Sequence, residues 1–415
     1  MKKGNSKNNT LLSINERKNL DWLWLISVFL FSINLLEKGQ YWLIGLFITA
    51  LIIINHKVSK FKITIDLLLI FLFTVSYFII FSLYRSAGMF TILVFLVGPI
   101  ACFVLGYFIV KTDYNFIVKS MITISIGLFI HGFLNMLKYF QIYGFRPSIS
   151  ERIIPDIWTG VNIAATLQGT HYAIISSLLF YSIIVLKDRK HILVSSIIIL
   201  ATVLSAIFSF ISGTRTLLVI IVINFCFSFL IYGFQRRKNY KEFLKLLFAI
   251  LSSFTVVYLI YISNTFGIKD FVLNSTWYLR SETNTLESDP RMLFWKTAIS
   301  QMFQFPFGGY RMGFSYAHNL WLDVLNATGL IPFFFLSIYT IKSFINLFTI
   351  IINEFVEIEF KIFIFSTFLG FVLQFMVEPI LEGVPYMFLL FLLFNGMTKK
   401  YLDLCKSQKN SRAQE

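Results

Sequence analysis

The chain has 415 residues, 57% of them hydrophobic and only 14% charged, and its mean hydropathy of +0.75 lies far outside the range of ordinary soluble domains. The composition is that of a membrane protein. A net charge of +15 fits cytoplasmic loops facing anionic lipid better than nucleic-acid binding, and Cys102, Cys226 and Cys405 lack the paired spacing of a disulfide framework or a zinc site.

Segment 1–21 is polar and basic, and no small-residue cleavage pattern follows the first apolar run, so the amino terminus is expected to stay cytoplasmic. About 20 apolar residues cross a bilayer. Such runs occur at Trp22–Leu36, Tyr41–Ile54, Ile63–Leu83, Gly88–Val110, Phe116–Leu137, Gly169–Leu186, Ile192–Ile211, Thr216–Phe234, Phe243–Ile262, His318–Ile341, Phe360–Val377 and Val384–Met397. The expected fold is therefore an all-α polytopic membrane protein, one transmembrane domain over 1–415 with about 12 spans, the short first, second and last runs leaving 11 or 13 open. With both tails (1–21 and 398–415) inside, 25 basic residues fall on the cytoplasmic side and 11 outside, as the positive-inside rule requires.

Two outward connections are long, Lys138–Gln168 and the segment 263–317 between spans nine and ten, so a site is expected on the outer side. Before the second of these, Arg215 lies in Ser212-Gly213-Thr214-Arg215-Thr216, wedged between two apolar runs. It either snorkels to headgroups or holds a phosphate at the start of the next helix. Inside the long loop, Asp289-Pro290 reads as a helix start, and Trp295, Ala298, Ile299, Met302 and Phe303 recur at helical spacing, predicting a short amphipathic helix to about Gln304. Arg291 falls in its first turn, where helix polarity disfavours a cation, so it is a surface residue or shares a bound anion with the free amides.

His318 directly follows that loop and opens a span; it is a structural helix-opening residue or a base. Asn319, Asp323 and Asn326 follow at helical spacing and form a polar stripe expected to face the protein interior. Glu378 and Glu382 could bind a metal, but a solvated outer turn is the favoured reading, and Glu354, Glu357 and Glu359 read as a solvated connection. The sequence holds no Asp-x-Asp motif, Walker loop or His-Glu-x-x-His, so no metal or cofactor is called for.

The ordered set of Ser212–Thr216, Arg291-x-x-x-Trp295, and Ala317-His318-Asn319 running into Gly329-Leu330 resembles the O-antigen ligase and polymerase superfamily, which includes capsular polysaccharide polymerases. The span layout and the large outer loop resemble it too. The resemblance implies a glycosyltransferase of the bacterial cytoplasmic (inner) membrane, using an undecaprenyl-diphosphate-linked oligosaccharide as donor at the outer face. It implies that Arg215 and Arg291 bind the diphosphate, that His318 is catalytic, and that Asn319, Asp323, Trp295 and Ser212 support them. Transfer would be inverting and metal-independent. The acceptor is a second lipid-linked repeat unit in a polymerase or lipid A core in a ligase; polymerase is the preferred expectation, working beside a flippase and a chain-length regulator. The competing class is a flippase or other transporter, against which the one-sided loop with Arg291 and His318 argues.

Overall fold

A chain this apolar must satisfy its backbone polar groups where no water reaches them, and a helix does so within a single segment. The computed structural model describes residues 14–55, 63–86, 88–110, 114–145, 152–186, 188–236, 240–283 and 290–412, and it is helical nearly throughout. Asp289, the Lys57–Lys62 connection and most of segment 1–21 lie outside the described residues.

Among the described residues, nine helices are long and apolar enough to cross a membrane. They are Ile65–Tyr84, Ile92–Ile109, Tyr114–Tyr143, Ala165–Val185, Arg189–Ser212, Arg215–Gln235, Lys241–Ile262, Leu330–Ile352 and Ile358–Phe375. Leu20–Ser32 and Tyr41–Ile53 are apolar but shorter, and Pro385–Arg412 is apolar only over its first half. The all-α membrane architecture is thus as expected, with nine helices meeting both criteria where twelve runs were drawn.

The final helix explains its own short apolar run: Leu389 to Phe394 are all at most 2% exposed, so it lies inside the bundle rather than against lipid. It crosses the Gly98–Ile109 helix at two glycines. A Cβ on Gly106 would lie 2.1 Å from the Leu393 carbonyl oxygen, and one on Gly396 2.1 Å from that of Phe103, so only glycine lets the two backbones approach. Buried amides tie other helices together. Asn224 Nδ2 donates to the Ser366 carbonyl at 2.8 Å, Gln374 Nε2 to Thr170 Oγ1 at 2.9 Å and Asn395 Nδ2 to Tyr339 Oη at 2.9 Å. Asn319, Asp323 and Asn326 face inward, as their spacing predicts.

One predicted span is wrong. The run His318–Ile341 is two helices, Leu320–Thr328 and Leu330–Ile352, and His318 belongs to neither. Gly329 between them has φ +83°, and a Cβ there would lie 2.1 Å from the Pro306 carbonyl oxygen. Leu330 N–H donates to that carbonyl, while the amides of Gly309 and Tyr310 donate to Ala327 and Asn326. The loop is stitched into the break, and the short helix before it is buried.

Among the described residues, segment 263–317 contains three short α-helices, Ile268–Leu273, Thr276–Thr283 and Pro290–Gln301, after a 3-10 turn at Thr265–Gly267. Trp295 and Ala298 of the last, with Met302 just past its end, pack with Met312, Ala317 and Leu325. Ile299 and Phe303, expected on the same face, are instead exposed together with Met292 and Leu293. The helix therefore presents two apolar faces, one to the bundle and one suited to a membrane surface.

Candidate functional site

The Arg189–Ser212 helix ends on Gly213 at φ +69°, and the residues around it close a tight turn. Ser212 Oγ lies 2.7 Å from Thr214 Oγ1, which donates to the Ala165 carbonyl at 3.0 Å, and Ser209 Oγ donates to the Thr214 carbonyl. Ser212 and Thr214 are buried, so their hydroxyls fix the turn and do not face a ligand. The carbonyls of the turn orient two further arginines. Arg152 Nε donates to the Ser212 carbonyl at 3.4 Å and Arg280 Nη1 to the Gly213 carbonyl at 2.9 Å. Arg215 then opens the next helix, at its electropositive end.

On the other side of the site, Trp295 Nε1 donates to the Ala317 carbonyl at 2.8 Å. The buried Asp323 carboxylate accepts the amides that flank His318, Ala317 N–H at 2.5 Å and Asn319 N–H at 3.0 Å. Asn319 caps the Leu320–Thr328 helix by accepting Leu322 N–H, and its Nδ2 reaches the Met376 carbonyl at 3.4 Å. Clamped on both sides, His318 adopts φ +54°, an unfavourable backbone for a non-glycine residue.

These elements enclose a cavity of about 410 Å³ lined by Arg152, Arg215, Arg280, Arg291, His318 and Phe294, among others. Four guanidinium groups from four separate elements converge there. Their mutual effect is visible in Arg152, whose pKa is pushed down to about 10 by burial first and then by the charges of Arg280, Arg291 and Arg215, against the opposing Glu378. So concentrated a positive potential selects an anion.

Glu378 neighbours two residues of this site. Its side chain is 1% exposed, with Oε1 3.4 Å from an Arg291 guanidinium nitrogen and Oε2 3.9 Å from His318 Nδ1. The expectation of a solvated turn is therefore wrong for Glu378. The deeply buried helix ends at Phe375, Met376 is exposed, and Glu378, three residues past the helix end, is buried again. No metal-ligand cluster occurs among the described residues.

Of the residues singled out in the sequence, Arg215, Arg291 and His318 come together on one cavity. Ser212, Trp295, Asn319 and Asp323 do not line it, and each holds in place a segment that does. Arg152 and Arg280 were missed, and Glu378 was noticed but read as part of a solvated turn. For the two arginines, the available signal was their scarcity on a side expected to be poor in basic residues; for Glu378, it was a carboxylate in an otherwise apolar stretch.

The fold and site together define a polytopic helical membrane protein with an arginine-lined cavity at one end of its bundle. Neither models of known protein families nor curated proteins gave a match to the chain.

Proposed function

We propose that the protein is a glycosyltransferase of the bacterial cytoplasmic membrane that moves a polyprenyl-diphosphate-linked glycan onto a sugar hydroxyl, as in O-antigen and capsular polysaccharide polymerases. The observation that carries this reading is the convergence of Arg215, Arg291 and His318, more than a hundred positions apart at the extremes, on one cavity with Arg152 and Arg280. Both tails are cytoplasmic in this reading, the cavity and the 263–317 loop face outward, and the shorter apolar helices and Pro385–Arg412 complete a set of twelve spans.

The bond between the anomeric carbon and the diphosphate oxygen breaks, and the lipid diphosphate leaves with the electron pair. The arginines take up the developing charge through paired N–H donors, which a planar guanidinium presents in a fixed fork. The acceptor hydroxyl attacks the opposite face of the sugar, so configuration inverts, and its proton passes to the free imidazole nitrogen of His318. Glu378, facing Nδ1, stabilises the imidazolium that results and restrains Arg291. The required positive charge is supplied by side chains, so no step depends on a metal.

The donor and acceptor are undecaprenyl-diphosphate-linked oligosaccharides, and a flippase and a chain-length regulator are the natural companions of such an enzyme. A ligase using lipid A core as acceptor has the same donor chemistry. Deleting the gene and analysing the lipid-linked glycans tests the reading. Loss of a polymerase leaves exported single repeats, and loss of a ligase leaves unattached polymer. Repeats trapped on the cytoplasmic side would overturn transfer in favour of transport.

A further inference from the structure

A second cavity, of about 610 Å³, opens at the same end of the bundle and differs in chemistry from the first. Its lining includes Tyr77, Phe81, Arg85, Tyr316, Glu382 and Tyr386. The two cavities share a wall: Tyr316 lines one and His318, two residues on, lines the other. The wall has a second strip, in which Glu378 faces His318 and Glu382, four residues later, reaches the larger cavity.

The larger cavity has an aromatic floor. The rings of Tyr77 and Phe81 stack with centroids 5.7 Å apart, and Phe95 meets both edge-on. Arg85 is held over the Tyr310 ring at 4.4 Å and the Phe81 ring at 5.9 Å. Against this floor lie two polar atoms that are buried and have no hydrogen-bond partner, the Tyr77 hydroxyl, on a side chain only 1% exposed, and Glu382 Oε2. Buried polar atoms of this kind are normally paired, so the arrangement calls for a ligand that supplies hydrogen-bond donors. Its charges are mixed, Glu37 and Glu382 against Lys38 and Arg85, in contrast to the arginine cavity next door. A ligand with apolar faces for the rings and hydroxyls for a carboxylate, a phenol and a guanidinium is a pyranose.

We infer that the larger cavity is the acceptor-sugar subsite, binding a pyranose through Tyr77, Glu382 and the aromatic floor so that a free hydroxyl of the acceptor is presented across the shared wall to His318. The inference rests on the transferase reading for the presentation to His318, but the sugar site itself stands on the cavity's own chemistry. It also divides the labour between the cavities, charge recognition in one and sugar recognition in the other. Acceptor choice would then reside in residues remote in sequence from the Arg215, Arg291 and His318 motifs.

The test uses the full chain in lipid nanodiscs and saturation-transfer NMR with free glucose, galactose, rhamnose, N-acetylglucosamine and N-acetylgalactosamine as probes. The wild type is expected to bind at least one of them. Both Glu382→Gln and Tyr77→Phe should weaken that binding about tenfold, about one unit in log Kd, while Arg215→Ala leaves it unchanged. Two conservative variants on separate helices guard against one that fails to fold, which a thermal melt identifies. No saturation transfer from any probe, or transfer lost in Arg215→Ala and retained in both other variants, overturns the sugar site. In elongation assays, Glu382→Gln should raise the acceptor KM without changing the donor KM. Unchanged acceptor KM overturns the inference while leaving the transferase standing. Sugar binding dependent on Glu382, in a wild-type protein that transfers nothing, overturns the transferase and supports the sugar site.

Discussion

Replacing Glu378 with glutamine removes a charge while keeping the side chain's shape, and its effect can be sized from two distances. The carboxylate lies 3.9 Å from His318 Nδ1. At an effective dielectric of about 20, a full charge pair at that separation is worth about 4 kcal/mol. If about half of a positive charge has developed on the imidazole when the acceptor hydroxyl attacks, the transition state loses about 2 kcal/mol, which corresponds to about 30-fold in kcat. The same substitution acts oppositely on the donor. Arg291, 3.4 Å from Glu378, is released from its restraining carboxylate and should hold the diphosphate more tightly, so donor KM falls. The assay is elongation by the purified protein at varied donor concentration, with retained fold checked by thermal melting. Glu378→Gln kinetics within about threefold of wild type in both parameters would refute the coupling of Glu378 to both His318 and Arg291.

Arg215→Lys and Arg291→Lys should each lose more activity than charge counting predicts, because lysine lacks the bidentate fork, and alanine at either should lower elongation by at least about 100-fold with the protein still in the membrane. Near-normal polymer from both alanine variants would return these residues to snorkelling. Arg152→Ala and Arg280→Ala should raise donor KM about tenfold with smaller effects on kcat, since they add charge to the cavity's rim; an unchanged KM removes them from the site. His318→Gln should bind donor and fail to elongate, because glutamine offers no base for the hydroxyl proton. A cysteine placed at the exposed Ser281 should react with an impermeant reagent in intact cells, and labelling only after membrane disruption would invert the proposed topology.

The sequence discloses the helices well because lipid imposes a simple rule on them, a long apolar run. It fails where protein replaces lipid as the surroundings. The run His318–Ile341 reads as one span, yet Gly329 breaks it to admit the Pro306 carbonyl, which lies 23 residues earlier in the chain. The amphipathic helix at Pro290–Gln301 was legible, but periodicity alone could not assign Ile299 and Phe303 to a face different from that of Ala298. In the site, Arg215, Arg291 and His318 stood out because each violates a local expectation. Arg152 and Arg280 carry only the weak signal of basic residues on the side expected to have few; the carbonyls of Ser212 and Gly213 that orient them lie 60 and 67 residues away. Glu378 was misread because a turn with two prolines resembles solvent-exposed chain, whereas here its carboxylate is buried against Arg291 and His318.

The proposed reaction is transfer from a lipid diphosphate by the arginine cavity and His318. The measurement that reaches it most directly is incubation of purified full-length protein with a lipid-diphosphate-linked repeat unit, following by mass spectrometry both the released lipid diphosphate and the extended lipid-linked glycan. Wild type should produce the two in equal amounts, and His318→Gln should produce neither while still binding the donor. Absence of both products with wild type, or their undiminished formation by His318→Gln, would contradict the account.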